Sequence, residues 1–511
     1  MAINIDEMAV FCKKKGFVYP SSEIYGGFSG FFDYGPLGAQ LKRNIMNSWW
    51  KYHVQDKEDM VGIDGSIICN PKVWVASGHV GGFGDVMVAC KKCNENMRAD
   101  HIVEDQLGVQ AEGLSSEDFD KLIKEKDVKC TKCGSDELGD CKVFNLLFKT
   151  FVGPVEGDKA VAYLRGETAQ LIFANFKNVV ETSRLKLPFG IAQMGKAFRN
   201  EIAPRNFLFR LREFEQMEIE YFVHPDKEKE CPYVDEIKDY ELLVYSAEMQ
   251  ENEKEPVLMK ASVALEKGII TNGWHAFWLV TETKWFEELG ACKENFRIRQ
   301  HRKDEMAHYS SDCWDLEYKF PFGWKELQGI ADRSDFDLQQ HMKHSKKDMS
   351  IFDEETKKKV VPFVVAEPSL GVDRAFLVFM FDAYSTRKDE KGNEVTVLKL
   401  NPKIAPVQVA VLPLINKLQD KAREVFATVK NNFNCFYDKS GSVGRRYARM
   451  DEIGTPICVT VDFDTLEKGV LTLRNRDTAK QVRVKIEDLN EKLNLFFAGE
   501  DFENLGTAVE K

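Results

Sequence analysis

Residues 401–406 constrain the folding of this chain most, because they separate two regions of different character. The segment reads Asn-Pro-Lys-Ile-Ala-Pro, and two prolines in five residues interrupt a helix or a central strand. The chain has 511 residues, whereas one compact core usually serves about 100–200. We therefore predict a larger N-terminal part, residues 1–400, and a separate C-terminal domain, residues 404–511.

The composition is that of a globular protein rather than a disordered, fibrous or membrane-spanning one. Hydrophobic residues make up 43% of the chain and charged residues 30%. The apolar run at 407–414 falls far short of the roughly 20 residues that a bilayer requires. Residues 1–10 carry acidic side chains and no basic leader. These features predict a cytoplasmic protein with no membrane partner.

Four of the twelve cysteines form two CxxC pairs, Cys90 with Cys93 and Cys130 with Cys133. In a chain of this kind such pairs favour a metal site over disulfides, and four thiolates suit one tetrahedral zinc ion. The intervening gap is longer than in compact zinc ribbons, so unmetallated thiols are the alternative. Residues 90–141 read as an insertion with a charged, helix-forming middle at 116–126.

The net charge of −11 is unfavourable for a nucleic-acid binder, because phosphate contacts come from lysine and arginine. Its distribution is uneven, however. Residues 401–511 contain 17 basic and 16 acidic side chains, a balance of +1, which leaves −12 for the first 400 residues. The C-terminal domain is therefore the less acidic region, and local charge must decide what it binds.

Two segments carry charges in patterns that suit phosphate chemistry. Residues 198–218 alternate arginines and glutamates with apolar residues, which predicts a strand-loop-strand hairpin around Pro204. Residues 367–374 follow a β-rich run and lead into an apolar helix, so Gly371 and Arg374 would lie at a strand-to-helix turn near a phosphate chain. A solvated hairpin and an ordinary turn with a surface arginine are the respective alternatives.

Other stretches predict elements without fixing their function. Residues 37–53 place an apolar stripe on one helix face, as in a core helix or a dimer-interface helix. Residues 225–298, charged at first and later aromatic, read as a second insertion whose role the sequence does not reveal. After residue 404, three apolar runs and one helical pattern predict an α/β module.

The chain resembles the dimeric type of glycyl-tRNA synthetases, which are class II aminoacyl-tRNA synthetases. The resemblance covers most of the chain, because the family's motifs occur in order. They are residues 26–38 (GGFSGFFDYGPLG), 77–79 (SGH), 98–101 (RADH), 165–170 (RGETAQ), the segment with Arg199 and Arg210, 324–331 (WKELQGIA) and 367–374 (EPSLGVDR). One position departs from the family's pattern: Gly166 stands where proline is usual, which predicts a looser loop around Glu167.

This resemblance implies an α+β fold, in which a class II antiparallel sheet is flanked by helices and followed by a C-terminal α/β anticodon-binding domain. It also implies a homodimer whose interface includes the 37–53 helix and Pro71. The implied reaction activates glycine with ATP to glycyl-adenylate and pyrophosphate, then transfers glycine to the 3′ end of tRNA-Gly. RNA rather than DNA is the implied partner, and diadenosine tetraphosphate synthesis is a possible side activity in the family.

The resemblance also implies site residues, with Arg199, Glu201 and Arg374 as the catalytic ones. The implied ATP-binding residues are Arg199, Asn200, Glu201, Phe209, Arg210, Leu211, Arg212, Glu213, Phe214, Glu326, Leu327, Gly371, Val372, Asp373 and Arg374. The implied glycine-binding residues are Arg98, Glu167, Phe214, Glu215, Gln216, Met217, Glu218, Glu367, Pro368, Ser369, Leu370 and Gly371. Mg²⁺ would accompany ATP with Glu326 as its protein ligand, and Zn²⁺ would be structural at Cys90, Cys93, Cys130 and Cys133.

In the C-terminal domain, two loops combine cations with an aromatic side chain. They contain Arg445, Arg446, Tyr447, Arg474 and Arg476. Such groups suit unpaired anticodon bases, which are bound by stacking and edge hydrogen bonds over a positive surface. An ordinary solvated loop is the alternative here.

Two other functions stay open on the sequence. A synthetase-like paralogue could bind RNA without aminoacylating, although Arg199, Glu201, Glu367 and Arg374 are all present. A class II enzyme for another amino acid is the second alternative, and the 367–369 and 167 segments favour glycine over it.

Overall fold

The structure is a computed structural model that describes residues 3–109, 111, 114–154, 157, 160–306, 310–388 and 392–509. The outermost residues of the two predicted domains, 1–2 and 510–511, lie outside these ranges. The helices of the described residues are α1 (Ile5–Lys15), α2 (Pro36–Trp50), α3 (Pro71–Ala76), α4 (His79–Gly82), α5 (Ala99–Leu107), α6 (Ser116–Glu125), α7 (Ala169–Ser183), α8 (Val234–Ile237), α9 (Ala247–Glu251), α10 (Ala261–Glu266), α11 (Gly273–Glu288), α12 (Phe336–Ser345), α13 (Val372–Ala383), α14 (Gln419–Val429), α15 (Val443–Glu452), α16 (Phe463–Lys468) and α17 (Leu489–Phe497). The strands are β1 (Val18–Pro20), β2 (Phe32–Tyr34), β3 (Met60–Ile63), β4 (Ile68–Cys69), β5 (Gly84–Ala89), β6 (Asn96–Arg98), β7 (Lys142–Asn145), β8 (Lys149–Phe151), β9 (Val161–Leu164), β10 (Phe189–Phe198), β11 (Glu213–Val223), β12 (Glu241–Tyr245), β13 (Val257–Lys260), β14 (Phe296–Gln300), β15 (Asp312–Phe320), β16 (Gly323–Asp332), β17 (Ile351–Asp353), β18 (Lys358–Val360), β19 (Phe363–Gly371), β20 (Tyr384–Lys388), β21 (Glu394–Leu398), β22 (Val409–Pro413), β23 (Cys435–Tyr437), β24 (Ile457–Val461), β25 (Val470–Asn475), β26 (Gln481–Lys485) and β27 (Thr507–Ala508).

A nine-stranded sheet organises the N-terminal part, in the order β13-β12-β14-β15-β16-β19-β11-β10-β3. Its neighbours pair antiparallel except β12 with β14 and β10 with β3. The predicted hairpin around Pro204 is present, because β10 and β11 pair along their whole length. The predicted strand-to-helix turn is present too, since β19 ends at Gly371 and α13 begins at Val372.

Side-chain alternation along the strands divides the sheet into two faces. On β11, Met217, Ile219 and Tyr221 belong to the main core with α1, α2, α11 and α13. Phe222, the residue after Tyr221, belongs to a second cluster beneath α7 and α12. This second face also carries Gln216 and Glu218 of β11, so a functional site on it would lie beside an apolar layer that holds the strands rigid.

The apolar stripe of α2 is core. Leu41, Ile45 and Trp49 are completely buried within the protomer. The predicted helix at 37–53 runs slightly differently, because α2 ends at Trp50 and a short π-helical turn, Lys51–Gln55, follows it. These three residues of the predicted stripe are therefore core residues, whereas its two ends, Leu37 and Tyr52, are half-buried.

Residues 225–298 are part of the central sheet. They supply β12, β13 and most of β14, which extend the sheet beyond β15. They also supply α11, whose aromatic residues Trp274, Trp278 and Trp285 lie buried in the main core. The segment read as an insertion therefore shares one hydrophobic core with the rest of the sheet.

Residues 84–145 form a small unit of their own. Strands β6, β5 and β7 make a three-stranded sheet, and α5 and α6 pack on it around a separate apolar cluster. The predicted helix at 116–126 is α6, which begins after the capping residue Ser115. The unit carries both CxxC pairs.

The C-terminal domain has a six-stranded sheet in the order β23-β22-β24-β25-β26-β27. Strands β23, β22 and β24 are parallel, and the later strands are antiparallel. The three apolar runs and the helical pattern correspond to β22, β24, β26 and α14. The α/β expectation for this domain is therefore confirmed. Across both domains, none of the helices in the described part of the chain has the length and apolar character to span a bilayer.

Candidate active site

The second face of the central sheet holds a cavity of about 560 Å³. The residues predicted for the site come together here from β6, β11, β16, β19, α13, the loop between β9 and α7, and the loop between β10 and β11. Those that line it are Arg98, Glu167, Arg199, Glu201, Phe209, Arg210, Leu211, Phe214, Gln216, Glu218, Glu326, Leu327, Glu367, Ser369, Gly371, Asp373 and Arg374. Segments far apart in sequence thus meet in one concave surface.

Strand geometry explains which predicted residues do not line the cavity. On β11, Phe214, Gln216 and Glu218 face it, whereas Glu215 and Met217 point to the other side of the sheet. Glu215 forms an ion pair there with Lys42. The residues predicted from contiguous motifs that lie outside the lining are Asn200, Arg212, Glu213, Glu215, Met217, Pro368, Leu370 and Val372.

Arginines occupy one part of the cavity. The Arg199 guanidinium lies over the rings of Phe83 and Phe214, 5.3 and 5.5 Å from their centroids, and Nε donates a hydrogen bond of 3.0 Å to the Gly166 carbonyl. Contacts with two rings and one carbonyl restrict the movement of this guanidinium at the cavity wall. Gly166 is buried, so packing supports this loop where the sequence predicted looseness.

Arg374 is held in a comparable way. Its guanidinium lies 4.5 Å from the Phe209 ring centroid, and Nη1 donates 2.8 Å to the Glu326 carbonyl oxygen. The Glu326 carboxylate is 3.4 Å from the same nitrogen. Its side chain remains about half exposed, so this carboxylate can still contact a cation in the cavity.

Three buried polar atoms in the cavity have neither a hydrogen-bond nor an ion-pair partner among the described residues. They are Glu201 Oε2, Arg210 Nη1 and Gln216 Oε1. Burial without a partner costs about 1–3 kcal/mol for a polar group, and more when it is charged. An orphaned acceptor beside an orphaned donor therefore indicates where a bound molecule would complete the hydrogen bonding.

Two other carboxylates of the cavity, Glu167 and Glu367, are held by buried side chains behind it. Arg333 donates 2.7 Å from Nη1 to Glu367, and 2.7 and 2.9 Å from Nε and Nη2 to Asp337. Glu167 accepts 3.1 Å from Gln170 Nε2, and its other oxygen lies 3.3 Å from His79 Nε2. Both cavity carboxylates are thus fixed from behind, with little freedom to move.

The pKa values of the acidic side chains on this face are shifted in different directions. Burial raises the pKa of Glu218, with the Glu167 charge adding to the rise, and its oxygens accept from Ser369 at 2.6 Å and from Thr168. Burial also raises the pKa of Glu367 to about 8, although Arg333 acts against the rise. Burial disfavours the Glu167 charge as well, but His79 and then Arg333 outweigh it and lower the pKa. A stable charge on Glu167 and a titratable one on Glu367 can therefore coexist near neutral pH.

Sequence reasoning missed several residues of this site. Arg333, Asp337 and Gln170 lie behind the cavity, and His301, Cys313 and Asp315 line it. One signal was available for the last two, because Cys and Asp two residues apart on a strand must face the same side. The others are brought in by tertiary packing, which periodicity does not reveal.

Both CxxC pairs form turns of the same geometry. In the first, the Asn94 N–H donates 2.9 Å to the Cys90 carbonyl, and in the second the Gly134 N–H donates 2.9 Å to the Cys130 carbonyl. Asn94 and Gly134 both have positive φ, the left-handed conformation that such a turn requires. The four Sγ atoms lie within 4.8 Å of one another. Four converging thiols of this kind fit a tetrahedral zinc ion.

The C-terminal arginines correct the sequence expectation. Arg446, Arg474 and Arg476 are at most 5% exposed. Arg474 makes two hydrogen bonds to Asp451, and Arg476 donates 2.8 Å to the Gly454 carbonyl. These side chains hold the domain together and have no surface to offer to bases. Arg445, in contrast, is exposed.

Comparison with known proteins follows the same division of the chain. Residues 155–382 match the family model "tRNA synthetase class II core domain (G, H, P, S and T)", and residues 408–494 match "Anticodon binding domain". The fold and cavity therefore define a class II aminoacyl-tRNA synthetase, as the sequence resemblance implied.

Relatives narrow the class to one family. The chain is 46% identical to a glycine–tRNA ligase of Acetivibrio thermocellus, over 95% of this chain and 97% of that protein. It is 47% identical to a glycine–tRNA ligase of Clostridium acetobutylicum, over 96% of this chain and 98% of that protein. It is 44% identical to one of Bacillus cereus, over 95% of this chain and 97% of that protein. This chain belongs to the glycine–tRNA ligase family, and the resemblance stated from its motifs is confirmed.

Proposed function

We propose that the chain ligates glycine to tRNA through a glycyl-adenylate formed in the cavity described above. The carboxylate oxygen of glycine attacks the α-phosphorus of ATP, and the bond to pyrophosphate breaks. A tRNA 3′-terminal hydroxyl then attacks the adenylate carbonyl, and AMP leaves. The observation that carries this proposal is a single cavity that joins four arginines, Arg98, Arg199, Arg210 and Arg374, to a fixed set of buried carboxylates.

The arginines suit the phosphate chain. Arg199 lines the cavity and is held by two rings and a carbonyl, so it can neutralise charge that develops at the α-phosphate with little movement. Arg374 would meet the outer phosphates or the adenine, since it lies beside Glu326 at the rim. The orphaned oxygen of Glu201 is our candidate for the adenine amino group. Class II synthetases use ATP with Mg²⁺, and Glu326 offers the hard oxygen that this ion prefers.

The carboxylates suit the ammonium group of glycine. Glu167 keeps its charge next to His79, and Glu367 lies beside it on the same face. Glycine has no side chain that the protein could contact, so discrimination against larger amino acids must come from a closed, rigid pocket. Enlarging a group in a well-packed site costs about 1–3 kcal/mol. The buried hydrogen bonds behind Glu167 and Glu367 would supply that rigidity.

Two further parts of the proposal concern structure. We infer a zinc ion at the Cys90, Cys93, Cys130 and Cys133 turns, which would keep the unit that carries Arg98 in shape. We also infer a homodimer. The exposed apolar side chains Ile67, Ile68 and Val75 flank Pro71 on β4 and α3, and this surface, rather than the buried stripe of α2, would meet the second copy.

ATP–pyrophosphate exchange with each of the twenty amino acids, without tRNA, tests the central proposal. Exchange with glycine alone supports the assignment of the cavity. Exchange with another amino acid would keep the class but overturn the glycine pocket, and no exchange would favour a synthetase-like protein without catalysis. Metal analysis and sedimentation of the purified chain test zinc and dimerisation separately.

A further inference from the structure

His301, Cys313 and Asp315 form a second cluster of metal-binding side chains, apart from the four-cysteine unit. Cys313 and Asp315 lie on β15, two residues apart, so both face the cavity while Trp314 between them points into the core. His301 follows β14 directly, and its backbone N–H donates a hydrogen bond of 2.9 Å to the Cys313 carbonyl. Two neighbouring strands thus bring an imidazole, a thiol and a carboxylate to one point of the cavity wall.

The geometry fits an ion with bonds of zinc length. His301 Nε2 lies 2.8 Å from Asp315 Oδ2, and the ligand atoms of all three side chains lie within 4.8 Å of one another. Tetrahedral zinc with bonds of about 2.0–2.3 Å separates its ligands by about 3.3–3.8 Å. The His301–Asp315 separation is shorter than that range and every other separation is at most 4.8 Å, so side-chain rotations would bring the three atoms onto one ion.

The chemistry of the three ligands selects among metals. A thiolate and an imidazole favour Zn²⁺ and similar transition metals over Mg²⁺, which prefers oxygen alone. A thiolate with a carboxylate also supplies the two negative charges that balance a divalent ion. Three protein ligands leave a fourth position open, and at this cluster it would face the cavity.

We propose that His301, Cys313 and Asp315 bind Zn²⁺ at the wall of the cavity, and that this ion inhibits adenylate formation. Inhibition rests on the function proposed above: an ion with an open position toward the cavity would capture a phosphate or carboxylate oxygen of a substrate and hold it away from the arginines. Glu326, the candidate magnesium ligand, lines the same cavity, so zinc would also disturb the charges on which Mg²⁺ and ATP depend.

Zinc content is the first test, because it does not depend on activity. The full chain is dialysed against buffers of fixed free Zn²⁺, and bound metal is then measured for the wild type, Cys313→Ser and His301→Gln. Cys458→Ser is the matched control, since Cys458 is also buried but lies in the other domain, away from both clusters. We expect both cluster variants to bind one zinc ion fewer per chain than the wild type and the control. Equal zinc in all four proteins would overturn the site.

Pyrophosphate exchange with and without zinc tests the second half of the proposal. At free zinc about ten times the dissociation constant, mass action predicts about a tenfold loss of exchange in the wild type. The ratio of rates with and without zinc should change less than about twofold in Cys313→Ser at that concentration. A filled site with unchanged exchange would overturn inhibition. A wild type that shows no exchange at all would refute the proposed function, whereas the zinc content would still decide the site.

Discussion

Replacing Arg333 with methionine tests whether the buried ion pairs hold Glu367, which we propose contacts glycine. The guanidinium is 2% exposed and donates three hydrogen bonds, of 2.7, 2.7 and 2.9 Å, to Glu367 and Asp337. Methionine fills a similar volume but leaves two carboxylates buried without their cation. Removing one partner of a buried ion pair costs about 3–5 kcal/mol. We expect that loss in the free energy of unfolding.

The effect on activity should be specific to glycine. Glu367 would lose its orientation or take up a proton, and one hydrogen bond to a charged group contributes about 1.5–3 kcal/mol. The KM for glycine should therefore rise about 10- to 100-fold. The KM for ATP should change less than about threefold, because Arg199, Glu201 and Arg374 do not contact Arg333.

Urea unfolding followed by tryptophan fluorescence reports on stability, since Trp274, Trp285 and Trp314 lie in the core of the same domain. Pyrophosphate exchange at varied glycine reports on the site. Arg446→Met is the matched control, because Arg446 is equally buried but bonds to carbonyls of the C-terminal domain. An Arg333→Met protein with unchanged unfolding and a glycine KM within about twofold of the wild type would refute this reasoning.

Four other outcomes follow from the site and its surroundings. Arg199→Ala should lower exchange by about 10²–10³ with an unchanged circular dichroism spectrum, because a preorganised charge is lost; near-normal exchange would remove Arg199 from the mechanism. The pKa of Glu367 lies at about 8, above its ordinary value, so its charge, which the ammonium needs, is lost as pH falls through that value. The KM for glycine should therefore rise as the pH is lowered from about 8.5 to 6.5. The Glu367→Gln variant should bind glycine weakly at every pH in this range, so its KM should not change. Cys93→Ser should lower the zinc content measured by mass spectrometry, unless the thiols bind no metal in the wild type. Arg445→Ala should weaken tRNA binding without changing stability, whereas Arg476→Ala should lower the melting temperature; the reverse result would contradict their different burial.

The sequence predicted the elements of the fold well where local signals agree. The hairpin around Pro204, the turn at Gly371 and the C-terminal α/β pattern each combine an apolar period with a turn residue. The active site was predicted in part, because a motif is contiguous whereas a strand alternates. Gln216 and Glu218 line the cavity, and Glu215 and Met217 cannot, since they lie on the other face.

Charged residues were the hardest to interpret from sequence. In the sequence, Arg474 and Arg476 have the pattern of a solvated RNA-binding loop. In the structure both are buried, and they donate hydrogen bonds to Asp451 and to the Gly454 carbonyl. These partners lie more than 20 residues away, so no local pattern connects them. Arg333 is a similar case, because its role depends on Glu367, which follows 34 residues later. Burial of a charge is decided by tertiary packing, and only the structure reveals it.

Glycine is the substrate for which a rigid second layer matters most. A larger amino acid can be recognised because its side chain fills a pocket. Glycine has no side chain, so the pocket must select it by sterically excluding every amino acid that has a Cβ atom. The layer behind the cavity suits this task. His341 lies 3.0 Å from Gln170 Oε1, while Gln170 Nε2 donates to both Glu167 and Asp337, and Arg333 joins Asp337 to Glu367. Each member is buried and bonded to the next, so a Cβ methyl could be admitted only by shifting the whole chain of hydrogen bonds. Selectivity against alanine would therefore depend on residues outside the cavity lining, His341, Gln170, Asp337 and Arg333, as well as on Glu167 and Glu367.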